Sequence, residues 1–150
     1  MSQAFKKLIY TAAMSQLEER ISNLQNLVFE LEQSKANESK SSAGDKYETS
    51  RAMMQQELDL LQRQLITNER LKSGLGRLNP AEKPSSIGAN SLVRTQQGWF
   101  YLAVAFGKVL VSGETVHLVS VDSPFAQKLI KAALEHKSAE STEQAVLEHY

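Results

Sequence analysis

Two acids, Asp45 and Glu48, stand three residues apart just ahead of a run of helical periodicity. An i,i+3 pair projects from one face of a helix. Carboxylates so placed can hold one Mg²⁺, which accepts one or two protein carboxylates and fills its other positions with water or phosphate oxygen. The same D-x-x-E spacing is also a capping box. In that role Asp45 accepts from the amide three residues on, and Glu48 reaches back to the Asp45 amide. Both acids also suit the positive N-terminal end of a helix. On the residues alone the two roles stand side by side.

Little else in the chain offers chemistry. There is no Cys, which excludes thiolate nucleophiles, disulfide frameworks and Cys-based zinc sites. His117, His136 and His149 lack a metal-ligand spacing. His117 alternates within an expected strand, as a packed or half-exposed residue does. Ser123 precedes Pro124 and reads as a helix cap. An acyl-transferring synthase needs a nucleophile with a positioned His, so free-standing catalysis is not expected.

The elements that position the acids follow from two kinds of periodicity. From Ala4 to about Gln33 there is neither Gly nor Pro, and Met14, Leu17, Ile21, Leu24, Val28 and Leu31 recur at steps of three and four. That is a coiled-coil seam. The stretch QSKANESKSSAGDK loses every large apolar residue and reads as a turn. A second helical pattern starts near Tyr47, with Met54, Leu58, Leu61 and Leu65 on its seam, and fades toward Lys72 before Gly74 and Gly76. Two helices joined by a turn fold back most simply as an antiparallel hairpin, each arm about 40–45 Å long at 1.5 Å per residue. Residues 1–76 are thus expected to form the hairpin, with its tip at about 37–47. A dimerising coiled coil is the plainer alternative, although a long parallel dimer has no need of Ser41, Ser42, Ala43 and Gly44 in mid-rod.

Residues 77–90 contain two of the three Pro and read as a linker. Beyond it SLVRT, WFYLAVAF, KVLV and TVHLVSV are rich in β-branched and aromatic residues. Turns at Gln97-Gly98 and Ser112-Gly113 predict three or four antiparallel strands. SPFAQKLIKAALEHK predicts a helix, with Phe125, Leu129, Ile130 and Ala133 on one face. The last ten residues, STEQAVLEHY, suit either an edge strand or a frayed helix. The expected core of residues 91–150 is Trp99, Tyr101, Leu110, Val116, Leu118 and Leu129. Alternation sends one or two of Trp99, Phe100 and Tyr101 inward.

Seventeen Lys and Arg balance seventeen Asp and Glu, so formal net charge is zero. This argues against a protein that coats nucleic acid, which needs an excess of cations. No apolar run approaches the roughly 20 residues that span a bilayer. The opening MSQAFKKLIYTAAM has a signal-like look, but Gln16, Glu18, Glu19 and Arg20 follow and the helical spacing runs on. A soluble, cytoplasmic monomer without a membrane contact is expected.

The helical hairpin, the tip GDKYE, the Pro/Ser linker and a strand-rich C-terminal part with SPFAQKL together resemble the Gre family of bacterial transcript cleavage factors. Gly44, Asp45 and Glu48 match the family's G-D-x-x-E tip, and SSAGDKYETSRAMMQQEL is similar to a Gre-like subgroup from Bacteroidetes. The resemblance implies an α+β protein: an N-terminal antiparallel coiled-coil hairpin followed by a small FKBP-like antiparallel sheet domain with one helix, over 91–150. It implies a partner, bacterial RNA polymerase, whose secondary channel takes the hairpin tip. Asp45 and Glu48 would then be the catalytic tip acids, sharing a Mg²⁺ held mainly by the polymerase and not bound stably by this chain alone. The polymerase would hydrolyse its own backtracked transcript, and nucleic acid would be met only through it. Relatives of this architecture that inhibit the polymerase without cleavage give the alternative outcome.

Overall fold

The repeat of three and four folds into two long helices. The computed structural model describes residues 2–38, 44–134 and 146–150. Helix α1 is Ser2–Glu38 and helix α2 is Gly44–Gly76. Both run further than the seam predicts: residues 34–38 continue α1, and residues 73–76 continue α2 through buried Leu75 despite two glycines. Strands β1 (Ser91–Thr95), β2 (Gly98–Ala103), β3 (Gly107–Val111) and β4 (Glu114–Ser120) follow, then helix α3 (Pro124–Leu134) and strand β5 (Val146–His149). The protein is α+β, with α1 and α2 packed against each other. Packing divides it into two compact units. One is Gln16–Arg70, and the other joins Met1–Ser15 to Leu71–Tyr150.

In Gln16–Arg70 the seam residues Leu17, Ile21 and Leu58 are buried, while Leu24, Val28, Leu31, Met54, Leu61 and Leu65 are half-buried. Lys35 Nζ donates to Gln55 Oε1, and Glu32 lines the same crevice as Leu58 and Gln62. Numbers rise along α1 as they fall along α2, so the arms are antiparallel. A two-helix pair has one interface, and burial falls off on either side of it.

The sheet has five strands in the order β3-β4-β2-β1-β5. Three pairings are antiparallel, but β2 and β4 run parallel, with Tyr101 beside Leu118. The sheet is therefore mixed, which corrects the expectation of antiparallel strands throughout. The connection after β2 is short, but four steps from Ala103 to Gly107 can reach about 14 Å. That exceeds the roughly 9.6 Å across two strand spacings, so the chain steps past one position and β4 fills the gap. Phe106 N donates to Val104 O at 2.8 Å, a three-residue turn, and Gly107 takes a φ of 108°. The β3–β4 hairpin turns on Ser112 (φ 52°) and Gly113 (φ 81°), the left-handed pair that two-residue hairpins favour. The ambiguous tail supplies β5 at the edge beside β1.

Tyr101, Val116, Leu118 and Leu129 are buried as expected, and Trp99 is half-buried. Leu110 is not in the core: it is 70% exposed, between buried Val109 and Val111. KVLV is apolar at three consecutive positions, so its pattern left the inward face unspecified. The β2 aromatics serve both faces of the sheet. The Trp99 ring meets Phe5 of α1 at 5.2 Å, edge on, and the Phe100 ring meets Phe125 of α3 at 4.5 Å. Helix α3 starts as its sequence predicts, with Ala126 N donating to Ser123 Oγ at 3.1 Å. Ala126 and Leu129 are its buried residues; Phe125, Ile130 and Ala133 are half-buried.

Residues 77–90 carry no regular helix or strand but are pinned at several points. Gln3 Nε2 donates to Pro80 O at 3.1 Å, and Lys6 Nζ donates to Glu82 O at 2.6 Å and to Tyr150 O at 3.3 Å. Asn90, at a φ of 70°, donates through Nδ2 to Asn79 O and accepts from the Tyr101 hydroxyl at 2.6 Å. Asn tolerates this left-handed conformation better than most residues. Each buried polar group here has a partner, as burial requires.

Two of these groups titrate abnormally. Burial pushes the Lys6 ammonium down to about 8, against the opposing pull of Glu82. Burial, and then Tyr10, push the Tyr101 phenol well above its usual range. Between about pH 8 and the ordinary Lys value of 10.5, the unfolded chain holds a proton at Lys6 that the folded chain has released, so stability rises with pH. Above the ordinary Tyr value of 10.0, the folded chain keeps the Tyr101 proton that the unfolded chain loses, so stability falls. The midpoint of urea unfolding is expected to climb from pH 8 toward 10 and then turn down. Lys6→Met removes the climb and Tyr101→Phe removes the downturn; a flat profile in the parent chain contradicts both assignments.

Candidate functional site at the hairpin tip

Helix α2 begins at Gly44, which places Asp45 and Glu48 in its opening turns. Three residues along a helix turn 300° and rise about 4.5 Å, so the two positions lie on one face. Glu48 is exposed. The side chain of Asp45, and residues 39–43 of the expected tip, lie outside the described residues. An acid in this turn faces the unpaired amides and positive end of the α2 dipole. That serves the capping role.

Two carboxylates fill at most two positions of a Mg²⁺ octahedron. Among the described residues no group of three His, Asp or Glu could hold a metal. Whatever the pair contributes to metal chemistry must be completed by other ligands, from water, a phosphate or a partner.

The other residues singled out in the sequence have packing roles. His117 is half-buried, its ring stacked on Phe100 at 5.2 Å and 22°. His149 lies in β5, opposite Val93, and His136 lies outside the described residues. Trp99, Phe100 and Tyr101 are all at least half-buried, because β2 is central in the sheet. Arg94 stands over the Trp99 ring at 5.6 Å and also approaches Glu148 at 3.7 Å.

One feature near the tip was not anticipated. Glu32, Lys35, Ala36, Arg51, Gln55, Leu58 and Gln62 line a crevice of about 460 Å³ between the helix arms. Its signal was available in the sequence. The repeat continued four residues past Leu31 lands on Lys35, and continued three residues before Met54 it lands on Arg51. Both are half-buried, as seam positions are, but neither is apolar.

No helix among the described residues is long and apolar enough to cross a membrane. No family model, no curated protein and no solved structure matches this chain.

Since the pair supplies only part of a coordination shell, the isolated chain is expected to bind Mg²⁺ weakly. Titration calorimetry with MgCl₂ should give no saturable heat in the micromolar range, and Asp45→Asn with Glu48→Gln should leave the trace unchanged. Tight saturable binding lost in that double variant would show a self-sufficient metal site.

Proposed function

We propose that this chain is a Gre-like transcription elongation factor, an accessory protein and not an enzyme in its own right. The observation that carries the proposal is the placement of Asp45 and Glu48 on one face of the opening turns of α2, where the hairpin reverses. The tip enters the secondary channel of bacterial RNA polymerase, and the C-terminal domain docks at the channel rim. In the channel Asp45 and Glu48 would help hold a Mg²⁺ supplied mainly by the polymerase. That ion would supply an activated water for in-line hydrolysis of a phosphodiester in a backtracked transcript, with the upstream 3′ oxygen leaving as a hydroxyl. The protein acts as a monomer in the cytoplasm and meets RNA only through the polymerase.

The use of the apolar stripes supports a hairpin over a dimerising rod. Leu17 and Ile21 of α1 and Leu58 of α2 are buried within the chain. The large apolar residues left exposed on α1, Leu8, Leu27 and Phe29, are unevenly spaced along it, with Leu27 and Phe29 about 200° apart around the helix, and do not make a second seam.

The decisive assay uses purified polymerase stalled in a backtracked complex with Mg²⁺, followed by RNA length. Added protein is expected to shorten the RNA. Asp45→Asn or Glu48→Gln should each slow that cleavage on the order of 10²-fold, as loss of a metal-site carboxylate does, while binding persists. Slowed elongation without shortening makes the chain a channel inhibitor, and absence of binding removes the Gre-like assignment.

A further inference from the structure

We propose that the turns of the hairpin nearest its tip form a separately opening segment, created by a polar break in the coiled-coil seam at Lys35 and Arg51. This inference stands whether or not the Gre-like assignment holds.

From Leu17 to Leu31 on α1, and from Leu65 back to Met54 on α2, every residue of the three-and-four repeat is Leu, Ile, Val or Met. The next step toward the tip is a cation on both arms. Packing follows the chemistry. Leu58 is 4% exposed and, with Lys35, Arg51, Gln55 and Gln62, lines an open crevice of about 460 Å³. Lys35 Nζ donates across the arms to Gln55 Oε1, and within α2 Gln55 Nε2 donates to Asp59 Oδ1 at 2.9 Å. Gln55 and Asp59 are exposed, so water competes for each of these bonds. An exposed polar bridge exchanges protein partners for water at little net cost, whereas opening a Leu layer exposes apolar surface. The opening cost must therefore drop sharply between Leu58 and Arg51.

The break also has a reach. Glu48 lies ten residues beyond Leu58, about 15 Å along the helix. Its position follows from the continuity of α2. A tip so built can change its approach to a partner without disturbing the packing at Leu17, Ile21 and Leu58.

Native-state hydrogen exchange of the full chain tests this without any polymerase. Amides of 51–57 are expected to exchange about tenfold faster or more, relative to their intrinsic rates, than those of 58–66. The double variant Lys35→Leu with Arg51→Leu continues the apolar repeat across the crevice, and should bring 51–57 to within about threefold of 58–66. Lys35→Met alone is the milder variant and should move protection the same way. Uniform protection from 51 to 66 in the parent chain overturns the proposal. So does a gradient that the seam-repair variants leave unchanged, since that would be ordinary fraying from the helix end.

Discussion

The central strand has to be buried from both sides. β2 lies third in a sheet of five, and Gly98–Ala103 reads GWFYLA, with large apolar or aromatic side chains at consecutive positions. Alternation sends Trp99 and Tyr101 to one face and Phe100 and Leu102 to the other. Each face then needs its own cover. Phe5 of α1 meets one face at Trp99, and Phe125 and Ala126 of α3 meet the other with Phe100, Val93 and Leu102. Burying the first face also draws Lys6 out of water, and its ammonium is accommodated because two main-chain carbonyls accept from it. The strap of residues 77–90 supplies one of those carbonyls, so its path is fixed by the same requirement.

Much of this was legible from residue spacing. The seam identified both helices and their antiparallel return, because a step of three and four admits few other structures. Ser112-Gly113 marked one hairpin turn, and Ser123-Pro124 marked the start of α3. The illegible parts had a common cause: they depend on pairing between segments, which local pattern does not encode. The parallel β2–β4 pair arose because three linking residues can either turn or step past a strand. Leu110 was misplaced because neighbouring Val109 and Val111 are equally apolar. The tail VLEH declared itself a strand only by its pairing with β1.

At the tip the sequence showed the chemistry and concealed the mechanics. Asp45 and Glu48 were conspicuous because acids at that spacing have few uses at a helix start. Lys35 and Arg51 were inconspicuous because a cation among polar residues draws no notice. Only their place in the repeat gives them meaning, as cations at positions where apolar residues are expected. The residues that hold a site in place are read from period, while those that react are read from type.

The division into two packed units has an electrical consequence. Residues 16–70 hold seven Lys or Arg against ten Asp or Glu, and the rest of the chain holds ten against seven. A chain neutral in sum is thus two bodies of opposite sign. Each retains a field within the roughly 8–10 Å screening distance of physiological salt. Each unit, taken by itself, is therefore drawn toward charge of the opposite sign before any contact forms.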